Sequence, residues 1–205
     1  IMPDFKKYED ELIALRREFH KYPELSLKEY ETSKKIKNYL KSYGIENIRE
    51  CTETGVVADI CGNGEKTVAI RMDIDALKVL ENTGLPFKSV NEGVMHACGH
   101  DGHIAIGVIL AKIFMDNRDM LNGNIKFIFQ PAEEEGDGAL KMLDAGVLDP
   151  KPDYIISGHL WPEIETGKID ITDKITFAAS DIIEVNIKGK GGHGALPHTV
   201  KDSLY

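Results

Sequence analysis

The chain has no apolar run long enough to cross a bilayer. Its longest, residues 104–111, is interrupted by Gly107, whereas a membrane helix needs ~20 apolar residues in succession. A basic stripe is missing too. Lysine and arginine number 25 against 34 aspartates and glutamates, for a formal net charge of -9, which excludes a nucleic-acid surface built on clustered cations. Cysteine is scarce: Cys51, Cys61 and Cys98 cannot all pair within the chain and form no Cys-x-x-Cys unit, so a disulfide framework is excluded and a reducing compartment expected. Cys51 and Cys61 read as small buried apolar side chains. The opening Ile1-Met2-Pro3-Asp4-Phe5 lacks the basic-then-apolar layout of a secretory signal, and the expected location is cytoplasmic. Repeats, low-complexity tracts and long linkers are absent. What remains, 42% hydrophobic and 29% charged over 205 residues, is the composition of a globular protein with one sizeable core.

Periodicity supplies the elements. Tyr8, Leu12, Leu15 and Phe19 recur at helical spacing, predicting a first helix over residues 4–21 that Pro23 ends. Ser26 followed by Glu29 reads as a capping box, opening a second helix with Tyr30, Ile36, Leu40 and Tyr43 on its apolar face and Gly44 as its stop. Residues 56–60 and 67–72 read as strands of a hairpin joined across Gly62-Asn63-Gly64. A helix over about residues 102–117 comes next. Residues 125–129 and 154–156 are short, wholly apolar runs, expected as strands covered on both faces, with a helix near 138–145 between them. The alternation predicts an α/β fold whose mostly parallel sheet is flanked by helices. Residues 182–188 alternate like a half-buried strand after a break near 176–180. The expected domains are therefore 1–177 and 178–205.

The chemistry concentrates in His96-Ala97-Cys98-Gly99-His100-Asp101-Gly102-His103, which holds three of the seven histidines and a cysteine. Imidazole, thiolate and carboxylate in this density suit zinc, cobalt, nickel or manganese. Three expected strands deliver further ligand types at their carboxyl ends: Asp73-Ile74-Asp75, Gln130-Pro131-Ala132-Glu133-Glu134-Glu135 and Ser157-Gly158-His159. In open α/β sheets that edge is where ligands bind. A structural zinc site needs four closed ligands, and the surplus of acids here favours a catalytic site with a separate base.

Asp73-Ile74-Asp75-Ala76-Leu77, Thr83-Gly84-Leu85-Pro86-Phe87, residues 95–103, Gln130-Pro131-Ala132-Glu133-Glu134 and Gly191-Gly192-His193 together resemble the metal-dependent amidohydrolase and peptidase family that includes hippurate hydrolase, indole-acetyl-amino-acid hydrolases, aminoacylases and N-acetyl-diaminopimelate deacetylase. The resemblance implies a zinc-exopeptidase-like catalytic domain followed by the beginning of a smaller α+β lid or dimerisation domain. It implies two divalent metal ions held by Cys98, His100, Glu134 and His159, with Glu133 as general base toward a metal-activated water. Asp75 would orient a ligand, and His193 would steady the oxyanion from the lid. Asp73 stands where relatives outside this subgroup carry a metal-binding histidine. The implied substrate is a small N-acyl amino acid or short peptide, and the implied assembly a homodimer, with neither nucleic acid nor membrane as partner.

His96, Asp101 and His103 are open between orienting a ligand and local hydrogen bonding at a helix start; His20 is assigned to the first helix and His198 to the lid. Family members usually carry proline where this chain has Lys78, which alters a loop and removes no catalytic group. They are also longer and supply one more metal-binding histidine, so a fragment of a longer enzyme is expected, with exposed sheet edges if it stands alone. Two other readings compete. Gly189-Lys190-Gly191-Gly192-His193-Gly194 satisfies the dinucleotide fingerprint Gly-x-Gly-x-x-Gly, but Pro197 fits the required helix start poorly. A non-catalytic metal-binding module is the other, and Glu133 separates the two cases, because a pure binding site has no use for an unligated acid beside its metal.

Overall fold

The computed structural model describes residues 4–171 and 183–204, which fall into two compact units, Ile1–Trp161 and Pro162–Tyr205. In the first, a 3-10 turn (Phe5–Tyr8) leads into α1 (Glu9–Lys21), followed by α2 (Tyr30–Ser42), β1 (Ile48–Glu50), β2 (Val56–Cys61), β3 (Thr67–Asp73), α3 (His100–Asp116), β4 (Asn124–Gln130), α4 (Gly138–Asp144) and β5 (Tyr154–Ser157). No helix among the described residues is long and apolar enough to cross a membrane.

The five strands form one mixed sheet in the order β1-β2-β4-β3-β5. β1 and β2 run antiparallel to their neighbours, whereas β4, β3 and β5 are mutually parallel. The expected hairpin is therefore not formed: β4 lies between β2 and β3. The Gly62-Asn63-Gly64 connection wraps the start of β4 instead, with Asn63 donating its N–H to Leu121 and Asn124 accepting from Gly62 and donating to Gly64. β4 wins the central place because it is buried along almost its whole length, and such a run gains most from neighbours on both sides.

One face of the sheet, with Val56, Ala58, Ile60, Met72, Ile125, Phe127 and Phe129, packs against Leu15 and Phe19 of α1, Ile36 and Leu40 of α2, and Ile104 and Val108 of α3. The other face packs Val57, Ala69 and Ile128 against Met142 of α4 and Val147. β5 departs from expectation. Tyr154, Ile155 and Ile156 are exposed by 59, 52 and 57%, because β5 is an edge strand paired only with β3 and its run is not covered on both faces. Cys51 is buried as expected, but Cys61, at the outer end of β2, is exposed.

The capping box also fails. Glu29 precedes α2 without a side-chain bond to its first turn, and Glu24 takes that duty, accepting from the N–H groups of Glu31 and Thr32. Ser26 and Glu29 point inward, Ser26 to Asp75 and Glu29 to Thr54 and Ala132.

In the second unit, residues 183–188 carry exposed side chains and pair with no strand among the described residues. Alternation alone cannot hold a strand that has no neighbour to hydrogen-bond. A single bridge joins Lys190 to Lys201, and Pro197–Thr199 form a 3-10 turn. The expected boundary between 177 and 178, like Ile182, lies outside the described residues.

Phe127 is fully buried at the centre of the sheet. Phe127→Ala is expected to lower the unfolding free energy by ~3–5 kcal/mol, measured by urea denaturation at fixed pH.

Candidate metal centre

The parallel strands β4, β3 and β5 end on one edge, and the chain just past each carries polar groups: Pro131 to Glu135, Ile74 and Asp75, and Gly158 and His159. The fourth contribution comes from the loop before α3. Gly99 takes a left-handed conformation (φ 83) at the helix start, a backbone state open to glycine at little cost. It turns Cys98 and His100 toward the same edge.

His100 is 1% exposed. Its Nδ1 lies 2.9 Å from the carbonyl oxygen of Asp75 and 3.2 Å from that residue's Oδ1. A carbonyl only accepts, so Nδ1 carries the hydrogen and Nε2 presents a lone pair. That Nε2 is buried without a hydrogen-bond partner, and so is Glu134 Oε1, 3.8 Å away. Two buried orphan acceptors facing each other across a gap too wide for direct contact are costly unless a cation lies between them.

His159 is set in the same way. Its Nδ1 donates to the Leu160 carbonyl at 2.6 Å, leaving Nε2 facing Cys98 Sγ at 3.4 Å. The ligand atoms of Cys98, His100 and His159 lie within 4.8 Å of one another, as do those of His100, Glu133 and Glu134. This donor set of thiol, two imidazoles and carboxylates fits one or two divalent cations of the zinc to manganese range.

Asp73, His100 and His103 make a third such group, but its chemistry differs. His103 Nδ1 donates to Asp73, and its Nε2 accepts the Leu160 N–H at 3.0 Å, so neither nitrogen has a lone pair left for a metal. Arg71 donates to the other Asp73 oxygen and to Gln130. Burial pushes Asp73 up, but the His103 hydrogen bond and the neighbouring His100, His103 and Arg71 side chains outweigh it and hold the carboxyl at about 2. Asp73 and His103 thus form a buttress beneath the ligands, bonded to the main chain beside His159.

Asp75 is 1% exposed. Besides orienting His100 it accepts Ser26 O–H at 2.7 Å and Glu134 N–H at 2.9 Å on Oδ2. Burial opposes its charge, yet these bonds keep its pKa lowered. Burial likewise opposes charge on His100, but the Asp75 hydrogen bond and the carboxylates of Asp73, Asp75 and Glu134 raise its pKa. Burial and the nearby Glu134, Glu133 and Asp73 push the Cys98 thiol up to about 12. The same negative field attracts a cation, which would reverse that shift. Glu133 is the more open of the two adjacent acids, its Oε2 3.9 Å from His100 Nε2; burial and the Glu134 charge raise its pKa.

The remaining histidines are placed elsewhere. His20 and Arg16 both bond Asp101 at 2.8 Å, and His20 also meets Glu81, so Asp101 anchors α1 to the start of α3. His96 is buried with both ring nitrogens unpartnered. His193 and His198 belong to the second unit, where His193 Nδ1 accepts the Ala195 N–H. The sequence reading missed Ser26, Glu29 and Arg71. For the first two, the only available signal was that Glu24 could cap α2 in their stead.

Comparison with known proteins places the chain in a family. The model of peptidase family M20/M25/M40 matches residues 69–204. An N-acetyl-L-cysteine deacetylase of Bacillus subtilis (strain 168) is 46% identical over 197 residues, 96% of this chain and 47% of the relative. Thermostable carboxypeptidase 1 of Saccharolobus solfataricus is 43% identical over 207 residues, 98% of this chain and 52% of the relative. Among solved structures, the Bacillus subtilis YXEP protein, described as a dinuclear metal binding peptidase from the M20 family, superposes with a TM-score of 0.73 at 45% identity, over 77% of this chain and 45% of that one. The chain belongs to peptidase family M20/M25/M40. It spans about half the length of the curated relatives it matches.

Two outcomes are expected. Loading with Co²⁺ should give a near-ultraviolet thiolate-to-metal charge-transfer band that Cys98→Ser abolishes, read by absorbance. The second concerns His96, whose burial depresses its pKa to about 4. Below about pH 6.5 the unfolded chain binds a proton there that the folded chain refuses until about pH 4, so stability falls as the pH drops through that window. His96→Phe should flatten this part of the pH-stability curve, measured as the difference between the two unfolding free energies.

Proposed function

We propose that the protein containing this chain is a metal-dependent hydrolase that cleaves the amide bond of N-acyl amino acids or short peptides, with Glu133 as general base. The observation that carries the reading is the position of Glu133: a partly open carboxylate of raised pKa next to a set of buried, unsatisfied ligand atoms. Cys98, His100, Glu134 and His159 would hold two divalent ions, zinc, manganese, cobalt or nickel, which when bound supply Lewis acidity toward an amide carbonyl and toward water.

The rest falls to the chain's own residues. Glu133 takes a proton from the attacking water as its oxygen bonds to the carbonyl carbon, then passes that proton to the departing nitrogen as the C–N bond breaks. A raised pKa suits a group that must accept and then return a proton. Asp75 fixes the His100 tautomer, and Asp73 with His103 steadies the segment bearing His159. Relatives named as an N-acetyl-L-cysteine deacetylase and a carboxypeptidase support a linear amide at an amino acid as the substrate class. In this reading residues 178–205 begin a lid and dimerisation domain from which His193 steadies the oxyanion, and the whole protein is a homodimer.

Glu133→Gln in the whole protein should leave metal content unchanged and lower kcat on N-acetyl amino acids by at least ~100-fold, with metal measured by atomic emission and turnover by amine release. Full activity in that variant would remove Glu133 from the mechanism.

A further inference from the structure

We propose that Glu29 is a positioning residue for Glu133, holding the loop that carries this base by a hydrogen bond to the main chain of Ala132. The proposal deepens the amide-hydrolase reading and rests on it.

Glu29 is fully buried, at the start of α2 and 103 positions from the loop it touches. Its Oε1 accepts the Ala132 N–H at 2.8 Å and its Oε2 accepts the Thr54 O–H at 2.8 Å. Among the described residues no lysine, arginine or histidine pairs with it. An acid buried without a cation is costly, and burial does raise its pKa against the opposing hydrogen bonds. An apolar residue would fill the same space more cheaply, so the carboxylate needs a reason to be there.

The reason lies in what it grips. Ala132 is held at φ 49, a left-handed state that a non-glycine residue adopts only when its surroundings enforce it. Both of its main-chain groups are engaged, the N–H by Glu29 and the carbonyl by Gly138 N–H at 3.1 Å. On the far side of Glu133, the Glu134 N–H is bonded to Asp75 at 2.9 Å. Glu133 is therefore the one residue between two main-chain donors, each fixed by a buried carboxylate from a different part of the chain. Asp75 sets the metal-facing Glu134, and Glu29 sets the turn from which Glu133 projects.

Releasing Ala132 should let the base drift while leaving the ligands in place, since Glu134 keeps its tether to Asp75. In the whole, metal-loaded protein, Glu29→Ala is expected to lower kcat on an N-acetyl amino acid by ~10–100-fold with KM within ~3-fold, the size of effect that loss of reacting-group alignment produces. Metal content should be unchanged, and amide hydrogen exchange should accelerate in the peptide spanning residues 131–136. Glu29→Gln, whose carbonyl oxygen can still accept from Ala132 and whose amide can donate to Thr54, should restore kcat and slow exchange. Should Glu29→Ala not fold, Glu29→Met, close in volume and lacking a strong acceptor, carries the same comparison. A folded, metal-replete Glu29→Ala or Glu29→Met protein with unaltered kcat would overturn the proposal, and so would a Gln variant no better than either. Glu133→Gln run alongside separates the two claims: if it stays active the base assignment fails, whereas if it is inactive and the Glu29 variants are not, only the role of Glu29 fails.

Discussion

The carboxylate of Asp75 ties together three stretches of chain remote from one another in sequence. It lies just past the end of β3, orients His100 at the first turn of α3, accepts the main-chain N–H of Glu134 beyond β4 and receives the hydroxyl of Ser26 ahead of α2. Asp75 itself is 1% exposed, a setting in which a hydrogen bond to a charged group counts for more and an unpaired charge is punished. The arrangement is consequently close to all-or-none. With Asp75 satisfied, His100 Nε2 and Glu134 Oε1 face one another as unsatisfied atoms.

The acids divide the labour between them. Asp73, Asp75, Asp101 and Glu29 are buried and hydrogen-bonded to histidine, arginine, hydroxyl or main-chain groups. They act on geometry. Glu133 and Glu134 are less buried and reach the edge where the ligand atoms converge. The sheet supplies the frame, because three parallel strands ending together place their succeeding residues within a few ångströms regardless of separation in sequence.

Much of this was legible from the residues alone. Apolar residues at helical spacing found α1 and α2, and short apolar runs found β4 and β5, with α3 and α4 expected between strands. The ligand-type residues stood out because cysteine, histidine and acid crowded into positions 96–103 and beyond strand ends. What stayed hidden was decided by tertiary competition. A glycine-rich turn between two strands predicts a hairpin only if nothing else outbids the pairing, and the more fully buried β4 did. Ser26 and Glu29 match a helix cap in spacing, but local patterns cannot tell that an inward-facing donor and an inward-facing acceptor are needed by residues 49 and 103 positions away. The apolar run of β4 is buried, whereas that of β5 is exposed, a contrast set by strand order rather than by composition.

The proposed metal centre depends on separate segments presenting lone pairs to a shared divalent cation. Anomalous diffraction from crystals of the whole protein grown with Zn²⁺ tests that most directly. The prediction is an anomalous peak ~2.0–2.1 Å from His100 Nε2 and ~2.3 Å from Cys98 Sγ, with Glu134 and His159 completing the coordination around one or two such peaks. Well-diffracting crystals with no anomalous density at this edge, or with zinc bound only at other positions on the molecule, would contradict it.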